Sequence, residues 1–276
     1  MNTVKHRFIP LLLEMRKVSS IFCILCVLVA IFGPWLAPHS VGDIVSKHVF
    51  APMSWQFPLG TDFLGRDDLS RILNAMRYTV GLALTASLLA SSFGTMVALG
   101  VAMSPKWLEE GITRLVDALI SIPSKMLALV IVTGFGASVD LLIITAVVGY
   151  APGAFRIAYS MAMSQSELEY VQSARIRGES VLYIAIREIL PNILNPVLAD
   201  FGLRFVFIVL LLSGLSFLGL GIQPPNADLG SLVRENIGGL SQGAVALLAP
   251  AMAIGVMTIA VNLVIDRIAE QRNQQH

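Results

Sequence analysis

Charge is scarce in this chain of 276 residues: 13% of them are Asp, Glu, Lys or Arg, where a soluble globular protein carries about 25%. Such a chain cannot cover a water-facing surface, and with 55% hydrophobic residues and a mean hydropathy of +0.76 it takes the lipid bilayer as its solvent. No sign of charge dominates, since 19 Lys and Arg stand against 18 Asp and Glu, and nothing here calls for nucleic acid. Cysteine is nearly absent as well. Cys23 and Cys26 are the only two, and their CxxC spacing lies in an apolar run with no basic neighbour to lower a thiol pKa, so they read as lipid-facing filler. The four histidines, His6, His39, His48 and His276, fall outside every apolar stretch. There is no GxxxxGK[ST] phosphate loop, no HExxH and no GxSxG, which excludes an ATPase and leaves an intramembrane hydrolase without a nucleophile, an acid pair or a metal site. No catalytic or metal-binding residue is expected.

What the chain does have is apolar length. A hydrocarbon core about 30 Å thick needs about 20 apolar residues in a helix. Six stretches qualify: 18–37, 78–105, about 117–135, 141–161, 196–220 and 236–265. The third is interrupted by Ile122-Pro123 and Lys125, which predicts a kinked or interfacial start, and the fourth holds Gly149, Pro152 and Gly153, which predicts a break. Lys125 has two readings, facing a pathway or snorkelling to the interface. The organisation is a cytoplasmic segment 1–17, a first transmembrane helix 18–37, an external loop 38–77, a five-helix core 78–268 and a cytoplasmic tail 269–276. Six crossings put both termini on one side. With that side cytoplasmic, twelve basic residues lie inside (Lys5, Arg7, Arg16, Lys17, Lys106, Arg114, Arg156, Arg175, Arg177, Arg187, Arg267, Arg272), and Lys47, Arg66, Arg71, Arg77 and Arg234 lie outside.

The inside loop 161–195 reads as two short helices. Ser166 and Glu169 fit a capping box, Arg175 and Arg177 sit near the negative end of the first helix, and Gly178 supplies its left-handed stop. Val171 and Ala174 share one face. A second helix, 181–190, is expected to end at Pro191. Periodicity alone leaves open an ordinary amphipathic hairpin on the membrane surface. Asp200 and Arg204, four residues apart, read either as a pathway pair or as a self-satisfied ion pair.

The string Glu169-Tyr-Val-Gln-Ser-Ala-Arg-Ile-Arg-Gly178, followed by Ile189-Leu-Pro191-Asn192, resembles the EAA loop of binding-protein-dependent ABC importer permeases. Ala174, Gly178, Leu190 and Pro191 hold the motif's places, while Gln172, Ser173 and Glu188 depart from it. Gly60-Thr-Asp-Phe-Leu-Gly-Arg-Asp67, with Ser70-Arg71, and Leu215-Ser-Phe-Leu-Gly-Leu-Gly-Ile-Gln-Pro-Pro-Asn-Ala-Asp228 narrow the resemblance to the C-type subunit of the oligopeptide, dipeptide and nickel subgroup. The resemblance implies an all-α membrane protein with the type I importer permease fold, six transmembrane helices and a cytoplasmic coupling helix. It implies a pathway shared with a second homologous permease, and two cytoplasmic ATPase subunits that bind ATP and Mg and dock on residues Glu169, Gln172, Ser173, Ala174, Arg175, Gly178, Leu190 and Pro191. An extracytoplasmic binding protein would deliver substrate near a rigid outer rim at Gly219, Gly221, Pro224 and Pro225. Peptides are the expected cargo; nickel, a metal chelate or an opine is the alternative, and a stand-alone channel or secondary carrier is the remote one.

Overall fold

The computed structural model describes Ile21 and residues 23–242 and 245–273, the last eight as backbone only. The expected segment 1–17, the start of the first span at Val18 and the end of the tail lie outside the described residues. Among the described residues the regular elements are helical, with two isolated antiparallel bridges, Ile44 to Arg66 and Thr61 to Asp67. The helices are α1 (Cys23–Leu36), α2 (Asp68–Ala102), α3 (Lys106–Ser121), α4 (Ser124–Phe135), α5 (Val139–Ser166), α6 (Glu169–Ile176), α7 (Val181–Tyr183), α8 (Leu190–Phe217), α9 (Leu229–Glu235) and α10 (Val245–Asn273). A π-helical stretch, Ile184–Ile189, joins α7 to α8, and a 3₁₀ turn, Ile237–Gln242, precedes α10.

Four helical stretches are long and apolar enough to cross a bilayer: α2, α5, Val181–Phe217 and Val245–Ile265. α1, within the described residues, is shorter than a span needs. The third expected span is a broken pair, with α3 and α4 bent by 84°. Ile122 is extended (ψ 122°) because the Pro123 ring excludes helix from the residue before it, so this proline breaks the helix where a kink was expected. α3 also begins at Lys106, eleven residues before the expected start at Asp117. The expected break in the fourth span is absent: α5 runs unbroken through Pro152 and Gly153.

Small residues explain that continuity. On α2, Ala83, Ala86, Ala90, Gly94 and Ala98 recur every three or four residues, and Ala151, Ala154, Ala158 and Ala162 do so on α5, all of these alanines being buried. A Cβ at Gly94 would lie 2.7 Å from the Ala151 carbonyl oxygen, so the two backbones meet closely beside the proline that α5 carries without a break. α1 uses the same device. Cys26, Ala30 and Gly33 line one face, and a Cβ at Gly33 would fall 2.5 Å from the Leu73 carbonyl oxygen. Cys26 is therefore buried against the bundle, which corrects its reading as lipid-facing; Cys23 is half-buried.

Packing sets direction. Gly94 meets Ala151 while Leu99 clusters with Ala162, so α2 and α5 run parallel and the broken α3–α4 pair carries the chain back between them. α8 is antiparallel to α5, because Ile193 clusters with Ala162 and Arg204 meets Tyr150. One end of the bundle is tied by charge. Asp62 accepts from Arg66 Nε and from Arg71 at 2.7 Å each, and Arg71 also donates to Glu235 at 2.8 Å. Phe63 N–H donates to Asn236 Oδ1, whose amide reaches the Ala246 carbonyl. These contacts start α2 at Asp68, ten residues before the apolar run begins, with Asp67 accepting from Ser70 N–H as its cap. The opposite end is a separate apolar cluster, built by Leu99, Ala162, Val171, Ala174, Ile184, Ala185, Ile189 and Ile193.

Candidate functional site

The loop at that apolar end is the first candidate. α6 ends in a Schellman turn: Glu179 N–H donates to the Ala174 carbonyl, Gly178 N–H donates to the Arg175 carbonyl, and Gly178 takes φ +80°, where a Cβ is penalised. The stop at Gly178 is the one the sequence indicates. The start of α6 is not. Its N-cap is Leu168, with no side-chain cap, and the Ser166 hydroxyl donates back to the Met163 carbonyl inside the last turn of α5, so the Ser166–Glu169 capping box does not form. The second helix does not end at Pro191 either. The chain passes from α7 through the π-helical stretch into α8 with Pro191 in the first turn, where its missing N–H costs least. Leu190 N–H donates to the Ala185 carbonyl five residues back, the wide turn that lets helix continue on both sides of the proline.

The two faces of this hairpin differ. Val171 and Ala174 are fully buried in the apolar cluster, so Ala174 packs inside this chain and is not a surface residue for a partner. Glu169, Gln172, Ser173, Arg175, Gly178 and Pro191 are exposed and Leu190 is half-buried. Gln172 folds back to donate to the Glu167 carbonyl at 3.0 Å, and Arg175 lies against the Met103 sulfur. Glu188, at a departure from the EAA pattern, lies 3.7 Å from Arg177, a pair at the surface worth about 0–1 kcal/mol. Tyr170 fastens the hairpin from within: its hydroxyl donates to Gln165 Oε1 at 2.7 Å and accepts from Asn192 at 3.2 Å. Burial pushes the Tyr170 phenol above its ordinary range, against the Asn192 bond. Around the turn Ile176, Val181, Leu182 and Ile186 stand exposed, Ile176 at 87%, an apolar patch ringed by Arg175 and Arg177.

Besides the charged network at Arg71, two ion pairs of the described residues bear on the pathway question. Asp200 and Arg204 face each other on α8, with Nε and NH2 donating to the two carboxylate oxygens, and the remaining nitrogen, NH1, donates to the Tyr150 carbonyl on α5 at 2.7 Å. Their side chains are 11% and 8% exposed. Gly153 makes room for this, since a Cβ there would lie 2.9 Å from the guanidinium. The second pair, Asp117 on α3 with Arg156 on α5, joins residues 39 apart and was not paired by sequence reasoning. Their charge and their places near span ends were visible; their meeting was not. The same holds for Asp62, Arg66, Arg71 and Glu235. Lys125 is exposed in the first turn of α4.

At the charged end, Asp228 caps α9 in a capping box with Ser231 and accepts from the Ser216 hydroxyl at 2.6 Å. Burial raises the Asp228 carboxyl above its ordinary range, and the bonds from Ser216 and Ser231 oppose that rise. Gly219 (φ +85°) lies against Arg234, and a Cβ at Gly230 would lie 2.4 Å from the Ser213 carbonyl oxygen, so the rim is backbone packed on backbone.

A family profile described as the inner membrane component of binding-protein-dependent transport systems matches residues 90–274, a stretch that holds the α6–α7 hairpin and both ion pairs. The chain belongs to that family. It is 28% identical to a di/tripeptide transport system permease protein of Pseudomonas aeruginosa, over 91% of this chain and 84% of that protein. It is 28% identical to a glutathione transport system permease protein of Escherichia coli, over 93% of this chain and 85% of that one. The fold matches a chain in the inward-facing structure of the MetNI methionine ABC transporter, with a TM-score of 0.53 over 72% of this chain and 95% of that chain, at 17% identity. This binding-protein-dependent permease is thus an inner membrane component of an ABC importer with the type I permease fold, and its relatives are transport subunits. A component of such a system works with a partner permease, an ATPase and a binding protein.

Proposed function

We propose that this chain is one of two unlike permease subunits of an ATP-driven importer of short peptides, the second subunit closing the pathway. The observation that carries the cargo is the cover of nearly the whole chain by a di/tripeptide permease and a glutathione permease, since glutathione is itself a tripeptide. Two ATPase subunits, holding ATP and Mg, dock at the α6–α7 turn, where Ile176, Val181, Leu182 and Ile186 offer apolar area and Arg175 and Arg177 offer charge. The docking face is thus the exposed side of the hairpin, with the Val171 and Ala174 side anchored in the bundle. ATP-driven closure of the ATPases pushes on α6, and the apolar cluster passes that motion to α2, α5 and α8. The binding protein meets the rim around Gly219, Gly221 and Pro224.

The hairpin end faces the cytoplasm and the charged loop faces outward. The basic residues Arg66 and Arg71 of the outer loop are neutralised by Asp62 and Glu235, whereas Arg175, Arg177 and Arg187 at the hairpin remain exposed. With Cys23 and Cys26 replaced by Ala, a cysteine at Ser54 should react with a membrane-impermeant thiol reagent applied to sealed cells and one at Gln172 should not; the reverse pattern would invert the orientation.

Docking is tested at the turn. Nothing lies within 4 Å of a Cβ at Gly178, so Gly178→Val acts through the left-handed backbone alone, at about 1–2 kcal/mol. The variant should insert and fold but lose most co-purifying ATPase and most hydrolysis stimulated by liganded binding protein. Full ATPase recovery with Gly178→Val would remove the hairpin from the coupling route.

A further inference from the structure

A cleft of about 700 Å³ opens between α3 and α5, in the half of the bundle nearer the hairpin. Its walls carry two polar stripes. On α3, Thr113 and Asp117 line the cleft, with Glu109 one turn before them on the same face and outside the lining, and on α5 Arg156, Tyr159 and Ser160 share another face. Arg156 pairs with Asp117, and the Tyr159 hydroxyl donates to Glu109. The neighbouring face of α3 is apolar: Ile112, Val116 and Leu119 line a groove with residues of α2 and α5, among them Phe155, which also lines the cleft.

This second ion pair is built unlike the first. Its side chains are 61% and 52% exposed, and Arg156 meets Asp117 through one nitrogen. Arg156 lies ten residues before the end of α5 but five before the apolar run 141–161 stops, about 7.5 Å along the axis from the inner boundary. An open pair of opposite charges is not solvated by acyl chains, and near the inner end of a span it faces a water-filled route, a polar guest or the headgroup layer. The remaining wall is Ile157, Met161 and Met163, and unbranched thioethers repack around varied apolar shapes.

We propose that this cleft is a substrate station on the inner part of the pathway, built for a zwitterionic short peptide: Arg156 receives the terminal carboxylate, Asp117 the terminal ammonium, and Met161 and Met163 the side chains. The pair opens to admit the guest. An exposed ion pair is worth about 0–1 kcal/mol, so its opening costs little against two charge-assisted bonds to the peptide. Termini are common to every peptide and side chains are not, so the station is selective for zwitterions and indifferent to sequence. The proposal rests on the peptide reading given above.

The test uses the whole complex, with both permeases, both ATPases and the binding protein, in proteoliposomes supplied with a defined set of radiolabelled di- and tripeptides. Arg156→Gln and Asp117→Asn should each cut uptake at least about tenfold, equivalent to about 1.4 kcal/mol, while hydrolysis stimulated by liganded binding protein stays within about twofold. A Ser160→Cys variant, with Cys23 and Cys26 replaced by Ala, should react with a charged methanethiosulfonate from the hairpin side and be protected when peptide is being transported. That readout stands if the charge variants fail to fold. Peptide uptake by the unaltered complex together with undiminished uptake by both charge variants, or labelling of Ser160→Cys that peptide does not slow, would overturn the station and leave the peptide reading intact. An unaltered complex that concentrates none of the peptides would overturn that reading and the station with it. Vesicles of phosphatidylcholine alone, and with phosphatidylglycerol added, separate the other source of an anion: if Arg156→Gln costs uptake only where phosphatidylglycerol is present, Arg156 holds a lipid headgroup and the station is overturned.

Discussion

Asp200–Arg204 and Asp117–Arg156 are the same chemistry in two settings, and the contrast separates a structural charge from an available one. In the first pair the guanidinium spends Nε, NH1 and NH2 on the Asp200 carboxylate and the Tyr150 carbonyl, beneath about a tenth of its surface exposure. All three nitrogens are engaged and burial withholds the pair from a ligand. In the second, more than half of each side chain is open and one nitrogen is engaged. Sequence spacing offered Asp200 and Arg204 as either a pathway pair or a self-satisfied one, and the structure gives the self-satisfied pair; it could not offer Asp117 with Arg156, because those two come from separate helices.

The largest expected effect breaks the buried pair. Arg204→Ala leaves Asp200 buried without its partner and frees the Tyr150 carbonyl, which should cost about 3–5 kcal/mol and lower the thermal unfolding midpoint of the purified protein severely. Arg156→Gln in the same assay should cost less than about 1 kcal/mol. Equal losses in the two variants would erase the distinction. A smaller change sharpens it. Gly153→Ala puts a methyl 2.9 Å from the Arg204 guanidinium, so the side chain must shift off its carbonyl partner; about 1–3 kcal/mol of destabilisation is expected, again read from the unfolding midpoint. A midpoint unchanged by that methyl would show that the Arg204–Tyr150 bond contributes nothing.

The smallest effect concerns pH and lies at the rim. The Asp228 carboxyl is raised by burial, so its folded value lies above its unfolded one, and the folded state binds the proton more tightly. Stability from this group is therefore full below the ordinary carboxylate range and is lost as pH climbs from about 4 through the raised value. Asn at this place can keep the cap to Ser231 and the bond with Ser216. Unfolding midpoints of Asp228→Asn measured across that range should fall less steeply with pH than those of the unaltered protein, and parallel curves would remove the assignment.

Legibility followed the range of the interaction. Gly178 was legible because a left-handed stop is decided by one residue's own backbone, and the EAA string was legible because it is a local pattern. The Ser166–Glu169 capping box was misread because α5 continues to Ser166, so the hydroxyl finds a carbonyl in its own helix before it can cap the next. Pro191 was misread as a stop because the π-helical turn that accommodates it is not written in any residue type. Ala174 was placed on a docking face because periodicity shows that Val171 and Ala174 share a side and not which neighbour covers it. The charged start of α2 was passed over because a hydropathy window counts Asp68 and Arg71 as polar, blind to the partners that bury them.

The sequence by itself determined the solvent, the helical class, the bulk of the spans, the family and the turn at Gly178, since each follows from composition, from runs of apolar residues, from a local motif or from short-range backbone chemistry. Tertiary structure alone decided which ion pair is sealed and which is open, which face of the hairpin is anchored, and that Pro123 breaks a span while Pro152 does not. Those outcomes depend on a second helix arriving: α2 packs closely against α5 beside Pro152, at Gly94 and Ala151, where α5 stays unbroken, and α3 must swing back against α5 before Asp117 can find Arg156.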